Sequence, residues 1–299
     1  MIIENQSSLT LARPALRQLA IDEPLVTLRG CSDVTIVGGW TGEGLGRAVE
    51  VIDCERVLIT AEFARWHRAV VIDRSREVRV LRSRFERLRS DGVNVRESED
   101  VAIEANEFCD FAPVGDDHGD AIWVSTGVRP HPFGPSHRVR IVDNLIDAAN
   151  CNSIFVASPS GERHRSIVIE RNVTLSGSPN GIFLSHADGA TVRNNHVLGE
   201  KQHIRLFDCA PELAGNVARE WQIGGKWQGT PPAGNRRAAL DPAPIVAAWR
   251  ARRDPRWEER EALRASIPID TAARDALTKK LTKDRARMRA IDKALGAIS

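Results

Sequence analysis

VAIEAN at 101–106, VRIVDN at 139–144, IVIERN at 167–172 and ATVRNN at 190–195 repeat one frame: aliphatic residues at alternate positions, then a closing Asn. A looser copy, ELAGN, ends at Asn216. Upstream, VTIVGG, VLITAE and VRVLRS run in the same frame and put Gly39, Glu62 and Ser83 in the Asn column. Successive steps are 23, 21, 23, 38, 28, 23 and 21 residues. A period near 22 residues with a short β segment in each turn marks a solenoid, whose units bury their apolar faces only by stacking.

Each unit carries a second strand. AVVID, DGVNV, DAIWV, NSIFV, NGIFL and HIRLF begin about eight residues after the Asn column, with one exception. Alternation points Val and Ile inward and the residue between them outward. Asn in vertical register passes amide hydrogen bonds from rung to rung. Cys31, Cys54, Ser75, Ser98 and Ser136 form another column, of small side chains stacked at a turn. The five cysteines have no CxxC spacing, so neither a disulfide framework nor a zinc site is expected.

This pattern resembles the right-handed parallel β-helix of the pectate-lyase-like superfamily over roughly residues 24–221. The resemblance implies an all-β, single-stranded right-handed parallel β-helix domain over 1–225. Residues 226–299 read as a linker and an α-helical C-terminal segment. Asp241-Pro242 and Asp254-Pro255 each set an N-cap before Pro, opening two short helices. Over 270–298, Leu277, Leu281, Asp284, Met288, Ile291, Leu295 and Ile298 space a heptad seam, read as a packed amphipathic helix or a homo-oligomer contact.

Charge is divided unevenly. Residues 226–299 hold 17 Lys and Arg against 9 Asp and Glu, and residues 1–225 hold 25 against 31. The acidic body offers no general nucleic-acid footprint, so no nucleic-acid partner is expected. No apolar run reaches the length of a membrane span, and the start shows no signal peptide. A cytoplasmic or virion-associated protein is expected.

The 38-residue step locates a site. Six extra residues precede the strand 120–124 and nine follow it, and the next rung adds about five around 158–164. Insertions on both sides of one strand wall a groove, and insertions in repeat proteins map to functional faces. The segments FCDFAPVGDDHG, TGVRPHPFGPSH and SPSGERH carry Asp116, Asp117, His118, His131, Arg163 and His164. Five of the eight histidines fall between 118 and 186, the last being His186.

Outward positions on the strand row are Asn94, Trp123, Phe155, Phe183 and Arg205, with Arg96 further along. Trp123, Phe155 and Phe183 would form an apolar strip on which sugar rings stack. Asp91 and Asp120 begin equivalent strands, placing two carboxylates a rung apart, as glycoside hydrolysis needs. SDGV at 90–93 is similar to the NTDG[IV] motif of polygalacturonase-type glycoside hydrolases, and GDAIWV at 119–124 to their DDCIAI strand. Gly119 replaces the first Asp of that pair, CNSIFV at 151–156 lacks the family's His, and HIRL at 203–206 only loosely follows RIK. Asp91, Asp120, Asn152 and Asn180 also read as one Asx ladder at a turn.

The expectation is a protein that binds and cleaves a polysaccharide over strand 120–124. Asp91, Asp120 and His118 are the acid/base candidates. In a hydrolase the carboxylates act directly. In a lyase, Ca²⁺ on Asp116, Asp117 and Asp120 would neutralise a uronate, and His118, Arg163, Lys201 or Arg205 would be the base. The rival is a non-catalytic glycan-recognition or structural β-helix, such as a phage or prophage tail-associated protein.

Overall fold

The computed structural model describes residues 1–12, 20, 22–113, 118–127, 134–148 and 151–253. Nearly every strand pairs in parallel with its equivalent one repeat away, and the strands fall into three rows. The groove row includes Arg68–Asp73, Val93–Arg96, Asp120–Ser125, Asn152–Ala157, Asn180–Asp188 and His203–Cys209. The second row includes Arg76–Leu81, Glu99–Glu104 and His137–Val142; the third includes Arg84–Glu86, Glu107–Cys109 and Leu145–Asp147.

Alternation works as the sequence implies. Val93, Ile122, Ile154, Ile182 and Ile204 are fully buried in register along the groove row. In the third row the core is aromatic. Phe63, Phe85 and Phe108 stack with centroids 5.3 and 4.6 Å apart, and Trp40 tilts onto Phe63 at 5.9 Å. Gly92 is needed here, since a Cβ would stand 2.4 Å from the Ala121 carbonyl oxygen and 2.7 Å from the Phe108 ring.

The turns are held by two side-chain ladders. In the first, each Asn Oδ1 accepts both the backbone N–H and the Nδ2–H of the Asn one rung earlier, from Asn106 through Asn144, Asn172, Asn195 and Asn216 to Asn235. The residue before each Asn takes the left-handed conformation, as at Ala105, Asp143, Arg171, Asn194 and Gly215. That residue corrects the upstream reading. Gly38 and Ala61, not Gly39 and Glu62, share the column with Ser83, because Ser32–Thr41 and Glu55–Ala64 run straight through the bend and lack the extra residue. The ladder also reaches further than the repeat read in the sequence. Asn235 joins it, and Arg236–Arg237 pairs in parallel with Val217–Ala218.

The second ladder links the N–H of Cys31, Cys54, Ser75 and Ser98 to Cys54 Sγ, Ser75 Oγ, Ser98 Oγ and Ser136 Oγ in turn. All five cysteines are free. Burial pushes the thiols of Cys109 and Cys151 well up, and that of Cys54 to about 11, so these side chains serve as packing.

Pro242–Arg253 is helical, and the Asp241 carboxylate accepts the Ala243 N–H at 3.0 Å as an N-cap. The helices expected from Asp254 and over 270–298 lie outside the described residues. Among the described residues no helix is long and apolar enough to cross a membrane.

Candidate functional site

The groove row presents two outward columns side by side. One stands at each strand start, or in the case of Asp91 two residues before it, and is polar: Arg47, Arg68, Asp91, Asp120, Asn152, Asn180, His203 and Glu220 follow in register. The other, three residues on and two residues on after the register shift past Asn180, runs Glu50, Val71, Asn94, Trp123, Phe155, Phe183, Arg205 and Gln222.

Asp91 and Asp120 meet on neighbouring rungs and are 2% and 8% exposed. Asp91 Oδ1 accepts the Asp120 N–H at 3.2 Å, and Asp91 Oδ2 pairs with Arg68 Nε at 2.9 Å. Asn94, itself fully buried, donates to Asp91 Oδ2 at 3.4 Å and accepts Arg96 Nε at 3.2 Å. Asp120 Oδ1 accepts Asn152 Nδ2 at 2.7 Å. The two environments differ. Burial, then the negative charge of Asp91, push the Asp120 carboxyl from 3.8 up to about 8; the Asn152 bond and Arg68 oppose the shift. Burial and the neighbouring charge thus favour the protonated form of Asp120, beside a carboxylate that is ion-paired to Arg68.

Arg68 is the residue that the sequence reading passed over. Its Nε reaches Asp91 while Nη1 contacts both Asp22 oxygens at 3.2 Å. Asp22 in turn holds His67 Nδ1 at 2.7 Å. Burial alone would raise Asp22, but the His67 hydrogen bond and the Arg68 charge outweigh it and hold the carboxyl at about 2. Asp22 lies 46 residues from Arg68 in sequence, and nothing local announces the pairing.

The aromatic strip forms as expected. Phe155 and Phe183 stack at 4.4 Å with a 12° tilt, and Trp123 lies in register beside Phe155. All three are partly exposed. Arg205 closes the strip, its guanidinium 5.7 Å from the Phe183 ring centre and 5.4 Å from that of Phe207. It is fixed by Asn180 Oδ1 and Gln222 Oε1, each at 2.7 Å. Asn180 also donates to Asn152 at 3.0 Å, so a hydrogen-bonded chain runs from Arg68 to Arg205 along the strip.

The remaining expected residues scatter. His118 is exposed, two residues before the Asp120 strand. Arg163 and His186 sit at the opposite end of the strand row, where Arg163 binds Asp188 and Asp208 at 2.8 Å and His186 lies 3.5 Å from Asp208. His164 does not reach the groove. It is fully buried, its Nδ1 accepting the Ser136 N–H at 3.1 Å and its Nε2 donating to the Ala157 carbonyl at 3.0 Å. It thus extends the Cys/Ser ladder by one rung, a role that its place beside an inserted loop concealed.

His131, Asp116 and Asp117 lie outside the described residues. Calcium wants six to eight oxygens. Among the described residues no three His, Cys, Asp or Glu side chains are grouped to hold an ion, and two of the three expected calcium ligands fall outside those residues. At Gly119, where the polygalacturonase-type motif has Asp, a Cβ would lie 3.0 Å from the Ser90 carbonyl oxygen and 3.1 Å from the Cys151 Cβ, so a side chain there would require those neighbours to give way slightly.

The chain belongs to the family described as right handed beta helix region, which matches residues 26–209. That match makes the solenoid a right-handed parallel β-helix. No curated protein matches the chain. Among solved structures, the surface adhesin PfbA of Streptococcus pneumoniae is 12% identical, with 75% of this chain and 70% of that one covered and a TM-score of 0.44. DFA-IIIase from Arthrobacter chlorophenolicus A6 is 12% identical over 75% of this chain, with a TM-score of 0.39. The Dettilon tailspike protein is 13% identical over 79% of this chain, with a TM-score of 0.33. The aligned regions span 52% of the DFA-IIIase chain and 58% of the tailspike chain.

Proposed function

We propose that the protein binds a polysaccharide along the groove row and hydrolyses it beside Asp120. The observation that carries this reading is the pairing of unlike carboxyls next to an aromatic strip. Asp120 is kept protonated by burial and by the charge of Asp91, while Asp91 is held in an ion pair by Arg68. Two carboxyls with environments pushed apart are what glycosidic cleavage asks for, one to protonate the leaving oxygen and one to bear negative charge.

The roles follow from position. Asp120 donates its proton to the glycosidic oxygen. Asp91 provides the charge that keeps this proton in place and is the candidate base. Arg68 is a positioning residue that orients Asp91. Phe155, Phe183 and Trp123 take the apolar faces of successive sugars, and Arg205 hydrogen-bonds hydroxyl or acidic groups at the end of the strip. Incubation with neutral and acidic polysaccharides should release new reducing ends. Asp120→Asn, which keeps the acceptor for Asn152 but has no acidic proton, should lower the rate by about 10²–10⁴-fold.

A second reading has its own support. Asp91 and Asp120 are bonded into the turn ladder and scarcely exposed. On that reading the row is a glycan-recognition surface, as in a tail-associated protein. Binding by the Phe155–Phe183 strip without any release of reducing ends would favour it.

A further inference from the structure

The polar column does not stop at Asn180. It continues through His203 to Glu220, three and four rungs from Asp120, or roughly 14 and 19 Å at one strand spacing per rung. There the surface opens into a concavity of about 790 Å³ lined by Glu200, Lys201, His203, Arg219, Glu220 and Arg237. Its charges are unequally committed. Glu220 is shared by His203 at 3.7 Å and Arg237 at 3.6 Å, and Arg237 Nε also donates to the Arg219 carbonyl at 2.9 Å. Lys201 and Arg219 form no ion pair among the described residues. Arg219 Nε is buried and has no acceptor among the described residues, so none of their groups holds that edge of the guanidinium, and the residue lines the concavity.

An aromatic ring stands against His203, one of the lining residues. Glu220–Ile223 and Lys226–Trp227 form a small antiparallel hairpin, turned by Gly224 and Gly225 in the left-handed region. Trp227 at its end is 56% exposed and rests 4.8 Å from the His203 ring. His203 thus joins the exposed ring to the lining of the concavity. An exposed aromatic ring, joined through His203 to a lining whose Lys201 and Arg219 form no ion pair among the described residues, suits a sugar with an apolar C–H face and an anionic substituent.

We propose that this concavity is a second sugar site, and that it takes an acidic monosaccharide unit, with its ring on Trp227 and its carboxylate or sulfate on Arg219 and Lys201. The site requires neither Asp91 nor Asp120 and goes beyond the reading of the groove. On the same polar column, it would engage an acidic unit of a chain lying along the helix axis.

Saturation-transfer NMR and titration with methyl glucuronoside, methyl glucoside and inorganic sulfate test it. The glucuronoside should bind about tenfold or more tightly than the glucoside, as one charge-assisted contact allows. The Lys201→Ala/Arg219→Ala double variant should lose that preference, and Trp227→Ala should weaken both sugars. Glucuronoside affinity that is lost in a Phe155→Ala variant would place the sugar on the groove strip instead and would overturn the proposal. Equal affinity for the two sugars, no binding of the glucuronoside, a preference that survives the double variant, or sulfate binding as tightly as the glucuronoside would each overturn the proposal.

Discussion

Asp120 links the proposed chemistry to a measurable property of the folded state. Its carboxyl titrates at 3.8 ordinarily and near 8 in the fold, so between these values the folded protein holds a proton that the unfolded chain has released. Stability therefore falls as pH rises from about 4 to about 8. Asp120→Asn should abolish that slope, gaining on the parent toward pH 8 and showing no advantage below pH 4, as denaturant unfolding at several pH values would show. His164 works in the opposite sense. Burial lowers its pKa, so its contribution is present above 6.5 and lost as pH falls below that value. Asp91 and Asp120 were legible as a pair because both begin strands in one frame. Arg68 and Asp22 were not, since their contact depends on how turns from separate rungs meet.

At the scale of the element, the turn ladder explains why Asn recurs. The Asn172 side chain accepts two hydrogen bonds from Asn144 and donates one to the Ile141 carbonyl and one to Asn195. Asn172→Ala would strand the buried Asn144 donors and the Ile141 acceptor, and should cost about 3 kcal/mol or more in denaturant unfolding. Phe85→Ala, in the middle of the inner aromatic stack, should cost about 3–5 kcal/mol by the same measurement. The outer stack should report on ligand instead. Phe155→Ala should weaken glycan binding roughly tenfold by calorimetry, the loss of one aromatic platform, with little change in stability. The aliphatic alternation and the Asn column made these strands readable. The reading slipped by one residue at Gly38 and Ala61, where the extra residue of the bend is absent and side-chain type alone does not mark the register.

At the scale of the whole molecule, stacked rungs turn a local repeat into continuous columns, so that residues about 22 apart become neighbours. The polar column from Arg68 to Arg205 and the aromatic strip beside it are products of this register. Histidine clustering in the sequence was a weaker guide, because His118 and His186 flank opposite ends of the strand row while His164 is built into a turn. The inserted loops drew attention to the strand Asp120–Ser125, and the proposed chemistry rests on the residues at the strand starts. The most direct test is a reducing-end assay on a panel of neutral and acidic polysaccharides, with the ultraviolet absorbance of an unsaturated uronate followed in parallel. New reducing ends without that absorbance, lost in a folded Asp120→Asn variant, are the predicted result. No new reducing ends on any glycan, or cleavage that Asp120→Asn retains in full, would contradict it.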